Sequence, residues 1–131
     1  MQLSESLENY LEAIYHIVNS KGAARAKDIA LALKVNNSSV TEALRSLSKK
    51  GLVNYAPYDL ITLTDQGKEL AKVVVLRHET LEEFLSTVLS LAEDEAAEIA
   101  CRMEHIVNEN VIKKLTALTK YVNENCPDWA K

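Results

Sequence analysis

A chain of 131 residues with two cysteines, three glycines and a formal net charge of −4 has room for one compact domain or two small ones sharing a core. It contains no apolar run near the roughly 20 residues that span a bilayer, and its acidic start Met-Gln-Leu-Ser-Glu-Ser is unlike a secretory signal. A cytoplasmic protein with no membrane partner is expected. Cys101 and Cys126 form no disulfide framework and read as reduced thiols. Residues 1–50 carry +2, residues 51–75 carry −1 and residues 76–131 carry −5, so a front half suited to a polyanion adjoins a back half suited to cations.

Leu7, Tyr10, Leu11, Ile14, Tyr15 and Val18 recur at helical spacing behind a candidate cap, Ser4, with Glu5 and Glu8 in the first turn. This helix should end near Asn19 to Gly22. A second spans about Ala26 to Leu33 and is broken by Lys34-Val35-Asn36. Asn36 or Asn37 can cap a third that runs to Lys50, carries the stripe Val40, Leu44 and Leu47, and stops at Gly51. Two short helices around such a break form a helix-turn-helix, whose second member enters the DNA major groove. Its outward face is Ser38, Ser39, Thr41, Glu42, Arg45, Ser48 and Lys49. Hydroxyls at a helix N-terminus suit phosphates and base edges. Base-edge positions are therefore assigned to Ser38, Ser39, Thr41 and Glu42, with Asn37 at the start of the same DNA-contacting face, and phosphate contacts to Lys27, Arg45 and Lys49. An isolated helix with this face reads better as merely solvated; the next segment shifts the balance. Leu52-Val53-Asn54-Tyr55 and Leu60-Ile61-Thr62-Leu63 flank the turn Ala56-Pro57-Tyr58-Asp59 and predict a hairpin, which makes the unit a winged helix.

Thr64 or Asp65 then caps a long helix from about Gln66 to Ser90. Glu93-Asp94-Glu95 opens another through Ile99, Met103 and Ile106, and Asn108 or Asn110 opens a last one through Val111, Leu115, Leu118 and Val122. Apolar residues after Val73 exceed one narrow stripe, which points to a two-fold dimerisation lobe. The expected fold is mainly α: an N-terminal winged helix-turn-helix, residues 1–65, followed by a helical metal-binding and dimerisation domain, residues 66–131. In that second part Cys101, Glu104 and His105 stand at i, i+3 and i+4. A helix brings such positions within roughly 5–6 Å at Cβ, close enough to share one ion. The triplet alone is weak, since such spacing arises by chance and a buried thiol is often only a small hydrophobe.

Three separated segments carry a resemblance: Ser6-Leu7-Glu8-Asn9-Tyr10-Leu11-Glu12-Ala13-Ile14-Tyr15, Leu76-Arg77-His78-Glu79-Thr80-Leu81-Glu82-Glu83-Phe84-Leu85, and Ala100-Cys101-Arg102-Met103-Glu104-His105. In order and spacing they resemble the metal-dependent repressors typified by the diphtheria-toxin repressor and the manganese transport regulator. The resemblance implies two neighbouring metal sites between a DNA-binding lobe and a dimerisation lobe. It assigns Cys101, Glu104 and His105 to the primary site, His78 and Glu82 to second-site positions, and Glu12 to a ligand of the manganese branch. Asn9 stands where iron-type members place methionine and manganese-type members aspartate. Ala97 replaces a second-site histidine, and the chain stops where longer members continue into a small β-barrel. Glu42 replaces a common neutral amide, and the wing has no Arg or Lys; both departures imply a shifted operator.

Mixed thiolate, imidazole, carboxylate and amide donors point to Fe(II) first and Mn(II) second, with Zn(II), Co(II) and Ni(II) binding in vitro. The expected function is a metal-dependent transcriptional repressor that binds double-stranded operator DNA as a homodimer when loaded with Fe(II) or Mn(II) and controls metal homeostasis. The alternatives are a winged-helix regulator or a protein-interaction module, both without metal control. No nucleophile elbow, phosphate loop or paired-carboxylate arrangement suggests an enzyme.

Overall fold

Ser4 starts the first helix: its hydroxyl accepts the Leu7 N–H at 3.2 Å, satisfying one of the donors that a helix start leaves open. The computed structural model describes residues 3–55 and 60–130 and divides into two units, Met1–Val73 and Val74–Lys131. In the first unit, α1 (Glu5–Lys21) ends on Gly22, whose φ of 88° a residue with a side chain rarely adopts. α2 (Ala26–Leu33) stops at Lys34, itself in the left-handed region at φ 57°. Asn36 caps α3 (Asn37–Lys49) by accepting the Ser39 N–H at 2.8 Å, and Gly51 follows at φ 74°. These are the helix-turn-helix elements that periodicity and capping residues predicted.

The wing is smaller than expected in length and larger in membership. β1 (Val53–Asn54) pairs antiparallel with β2 (Thr62–Leu63), with Val53 opposite Leu63 and Asn54 opposite Thr62. The predicted turn 56–59 lies outside the described residues. Ala24 joins the same edge, exchanging backbone hydrogen bonds of 2.9 and 2.8 Å with Ile61. α1 packs on α2, α3 and β2, and β1 on α3. Leu11, Ile14, Ile29, Leu44, Leu47 and Leu52 are fully buried between them. Each contributes on the order of 1.5–3 kcal/mol through burial, which makes α3 the rigid back of its own solvent face.

The division between units falls within α4 (Asp65–Glu83). Thr64 starts this helix: its hydroxyl accepts the Gly67 N–H at 3.0 Å and donates to the Gly51 carbonyl at 2.7 Å. The helix predicted to run to about Ser90 continues to Val88, but its last turn is not α-helical. The helix changes to a π-helical turn over Phe84–Val88, with Leu89 N–H bonded to Phe84 O at 3.3 Å. The Thr87 and Ser86 hydroxyls donate to Glu83 O at 2.8 and 3.3 Å, and such side-chain competition for a carbonyl loosens the regular ladder. The π turn packs against α5 (Glu93–Met103) and α6 (Glu109–Asn125) around Leu81, Leu85, Ala96, Ala100 and Ile112. α5 also ends earlier than predicted. Ile106 N–H bonds to Met103 O at 3.0 Å in a tight turn, and extended Asn108 caps α6 by accepting Val111 N–H at 2.9 Å, leaving Ile106 outside the helix and 81% exposed.

Candidate metal centre and nucleic-acid face

Glu104 sits at the C-terminal end of α5 with 0% of its surface exposed. His78 on α4 brings Nδ1 to 3.4 Å from Glu104 Oε1, and His105 brings Nε2 to 3.9 Å from the same oxygen. Neither carboxylate oxygen of Glu104 accepts a hydrogen bond from the described residues. Burial of a charged acceptor without such bonds costs at least about 1–3 kcal/mol, so the pocket favours a group that supplies positive charge. Two imidazoles and a buried carboxylate are donors for a divalent transition ion, and the chemistry of the set fits one. Arg77 Nη1 donates to the Glu104 backbone carbonyl at 3.5 Å, holding the end of α5. Spacing gave no reason to single out Arg77 beyond its place beside His78.

The second unit thus gathers His78, Glu82, Glu104 and His105. Glu82 Oε2 lies 2.8 Å from His78 Nε2. Cys101 is exposed on α5, whereas Glu104 at the end of that helix is fully buried and the His105 side chain is 2% exposed. His105 lies in the turn beyond the helix. Ala97 is half-buried and Glu98 exposed on α5. In the first unit Asn9 and Glu12 are half-buried on α1, and Glu12 Oε2 is 4.0 Å from His16 Nε2.

α3 presents two unlike faces. Val40, Ala43, Leu44 and Leu47 are buried, while Asn37, Ser38, Glu42, Arg45 and Lys49 are exposed and Ser39 and Thr41 half-buried. Ser38 Oγ donates to Asn36 Oδ1 at 2.9 Å and Thr41 Oγ1 to Asn37 O at 3.0 Å. Both hydroxyls therefore turn acceptor lone pairs, rather than their protons, to the outside. Glu42, Arg45, Ser46, Ser48, Lys49 and Tyr55 line one surface depression. Tyr55 was invisible to a helix-face reading because it arrives from the strand side of the hairpin. Lys27 is exposed on α2.

Two family models match consecutive parts of the chain: "Iron dependent repressor, N-terminal DNA binding domain" over residues 2–60 and "Iron dependent repressor, metal binding and dimerisation domain" over residues 64–130. The chain belongs to the iron-dependent repressor family. This is a family of transcriptional regulators and not of enzymes. The HTH-type transcriptional regulator MntR of Lysinibacillus sphaericus is 39% identical over 126 residues, 96% of this chain and 89% of the relative. MntR of Bacillus subtilis is 38% identical over 120 residues, 92% and 84% respectively. Among solved structures, T. acidophilum IdeR matches with a TM-score of 0.79 at 26% identity, over 92% of this chain and 55% of that one. A manganese-dependent transcriptional repressor in complex with manganese matches at 0.80 and 30% identity, over 88% and 53%. The chain spans about half the length of these two solved repressor chains. Among the described residues, no helix is long and apolar enough to cross a membrane.

Proposed function

We propose that this family member represses transcription by binding operator DNA as a homodimer when loaded with Fe(II) or Mn(II). The observation that carries the metal half of this reading is the buried Glu104 carboxylate, without hydrogen bonds from described residues and faced by His78 and His105. The ligand set is completed by residues taken from the resemblance, namely Asn9, Glu12 and Cys101. A bound divalent ion supplies the positive charge that Glu104 lacks and makes DNA affinity depend on ion availability. Glu104 and His105 hold the end of α5, His78 holds α4, and Asn9 and Glu12 act from the helix that precedes the reading head. The DNA half rests on α3, whose acceptor-rich start suits base amines and whose Arg45 and Lys49 suit phosphates. Carboxylate donors suit manganese and imidazole suits iron, and both ions belong in the proposal.

The deciding experiment measures affinity for duplex DNA from upstream of the chain's own gene, across divalent metals at fixed free concentration and after chelation. Affinity should fall at least about tenfold on chelation, a coupling on the order of 1.4 kcal/mol or more, and Cys101→Ala or His105→Ala should abolish the response while preserving the helical spectrum. Equally tight binding to a specific site by the chelated protein overturns the switch. Binding without steep salt dependence favours a protein-docking module instead.

A further inference from the structure

The geometry points to Glu82 as the positioning residue of His78, not as a ligand of the ion that Glu104 holds. This rests on the metal reading of the Glu104 pocket. His78 and Glu82 are four residues apart on α4, and Nε2 and Oε2 meet at 2.8 Å. An ionised carboxylate only accepts, so the proton of this contact belongs on Nε2. The other ring nitrogen, Nδ1, is the one that faces Glu104, at 3.4 Å. The lone-pair directions of the two nitrogens diverge across the ring. An ion shared by His78 and Glu104 therefore meets Nδ1, and Glu82, on the far side, cannot reach it. Making Nε2 a ligand as well would require the ring to lose both protons.

Glu82 would then do what a carboxylate does behind a metal-binding imidazole: fix the tautomer, hold the ring plane and raise the basicity of the opposite nitrogen. Stability alone gives the contact little purpose. The two side chains are 22% and 33% exposed, so solvent competes for both groups and lowers what the contact adds to folding. The contact matters through Nδ1, whose direction it sets. The same geometry departs from the second-site ligand role that the resemblance implies for Glu82.

The test is a Co(II) titration of the full chain, unsubstituted and as Glu82→Gln and Glu82→Ala, reading stoichiometry, affinity and the d–d absorption envelope. Gln retains an acceptor for Nε2–H, so Glu82→Gln should bind the same number of ions with the same envelope and nearly the same affinity. Glu82→Ala should keep the number and envelope but bind about 10–100-fold more weakly. Loss of one Co(II) equivalent or a changed envelope in Glu82→Gln makes Glu82 a ligand and overturns the inference, as does an unchanged affinity in Glu82→Ala. Failure of the unsubstituted chain to bind Co(II) overturns the metal reading and this inference together, so the two failures are told apart by the first titration.

Discussion

Glu104 occupies a position that packing alone would give to an aliphatic side chain, and its cost is the clearest sign of use. Glu104→Met removes the buried charge while keeping a similar reach. In chelated protein it should raise the unfolding free energy by about 1–3 kcal/mol, since deletion of an unsatisfied buried acceptor recovers its desolvation. It should also remove the rise in Tm that metal gives the unsubstituted chain. A fall in chelated stability in urea melts would mean that Glu104 is held by partners of its own. Glu42 is the matching case on the proposed DNA face: an exposed acid on α3, which in that role would repel phosphate and accept from base amines such as cytosine N4. Glu42→Gln should therefore change the preferred sequence in a binding-site selection more than it changes affinity for random duplex. Unaltered preference would remove Glu42 from the base edges. Residue types and their order along the chain were enough to nominate Glu104 and His105. Their burial was not legible, because spacing does not say where a helix ends or what packs over it.

At the level of elements, the start of α4 is fixed by one residue without a side chain. A Cβ on Gly67 would lie 1.9 Å from the Leu52 carbonyl oxygen, while Thr64 N–H donates to that same oxygen at 3.1 Å. Ala is the better helix former by about 1 kcal/mol, yet the backbone contact leaves it no room. Gly67→Ala should lower stability by about 1–3 kcal/mol, as overpacking does; a stabilised variant in thermal melts would show that Leu52 yields. The N-terminus of α2 gives a pH test. Desolvation pushes the Asp28 carboxyl up, but the Arg25 backbone N–H at 3.1 Å and the charge of Lys21 outweigh it and hold it below its ordinary value. A depressed pKa contributes stability that is present above the unfolded value, near 3.9, and is lost as pH falls through the folded one. Unsubstituted protein should therefore exceed Asp28→Asn in urea midpoint at neutral pH, with the difference shrinking as the pH falls below the unfolded carboxyl value. α1 to α3 were legible because their stripes, caps and glycines agree. The π turn and the early end of α5 were not, since both depend on which group wins a particular carbonyl. The Ala24–Ile61 pairing joins segments 37 residues apart, beyond the reach of local periodicity.

For the whole molecule, the question is how many copies meet the DNA. The second unit leaves Leu76, Leu118 and Tyr121 exposed at 59, 46 and 60%, more apolar surface than an acidic, highly charged lobe would keep in water without a partner. A two-fold pair made through residues of about 76–124 would cover it. It would also present two copies of α3 to successive turns of a near-palindrome, roughly 34–36 Å apart. Sedimentation at micromolar concentration should give a dimer, and Leu118→Glu should shift it toward monomer. Copy number also sets the salt dependence, because each neutralised phosphate contributes about 0.9 to the slope of log affinity against log salt. Lys49→Ala should weaken random and specific duplexes alike and reduce that slope by about one for each recognition helix engaged, hence about two in a dimer and about one in the Leu118→Glu background. An unchanged slope would mean that α3 docks by another face, and a loss of about one in both backgrounds would mean that a single copy reads the site.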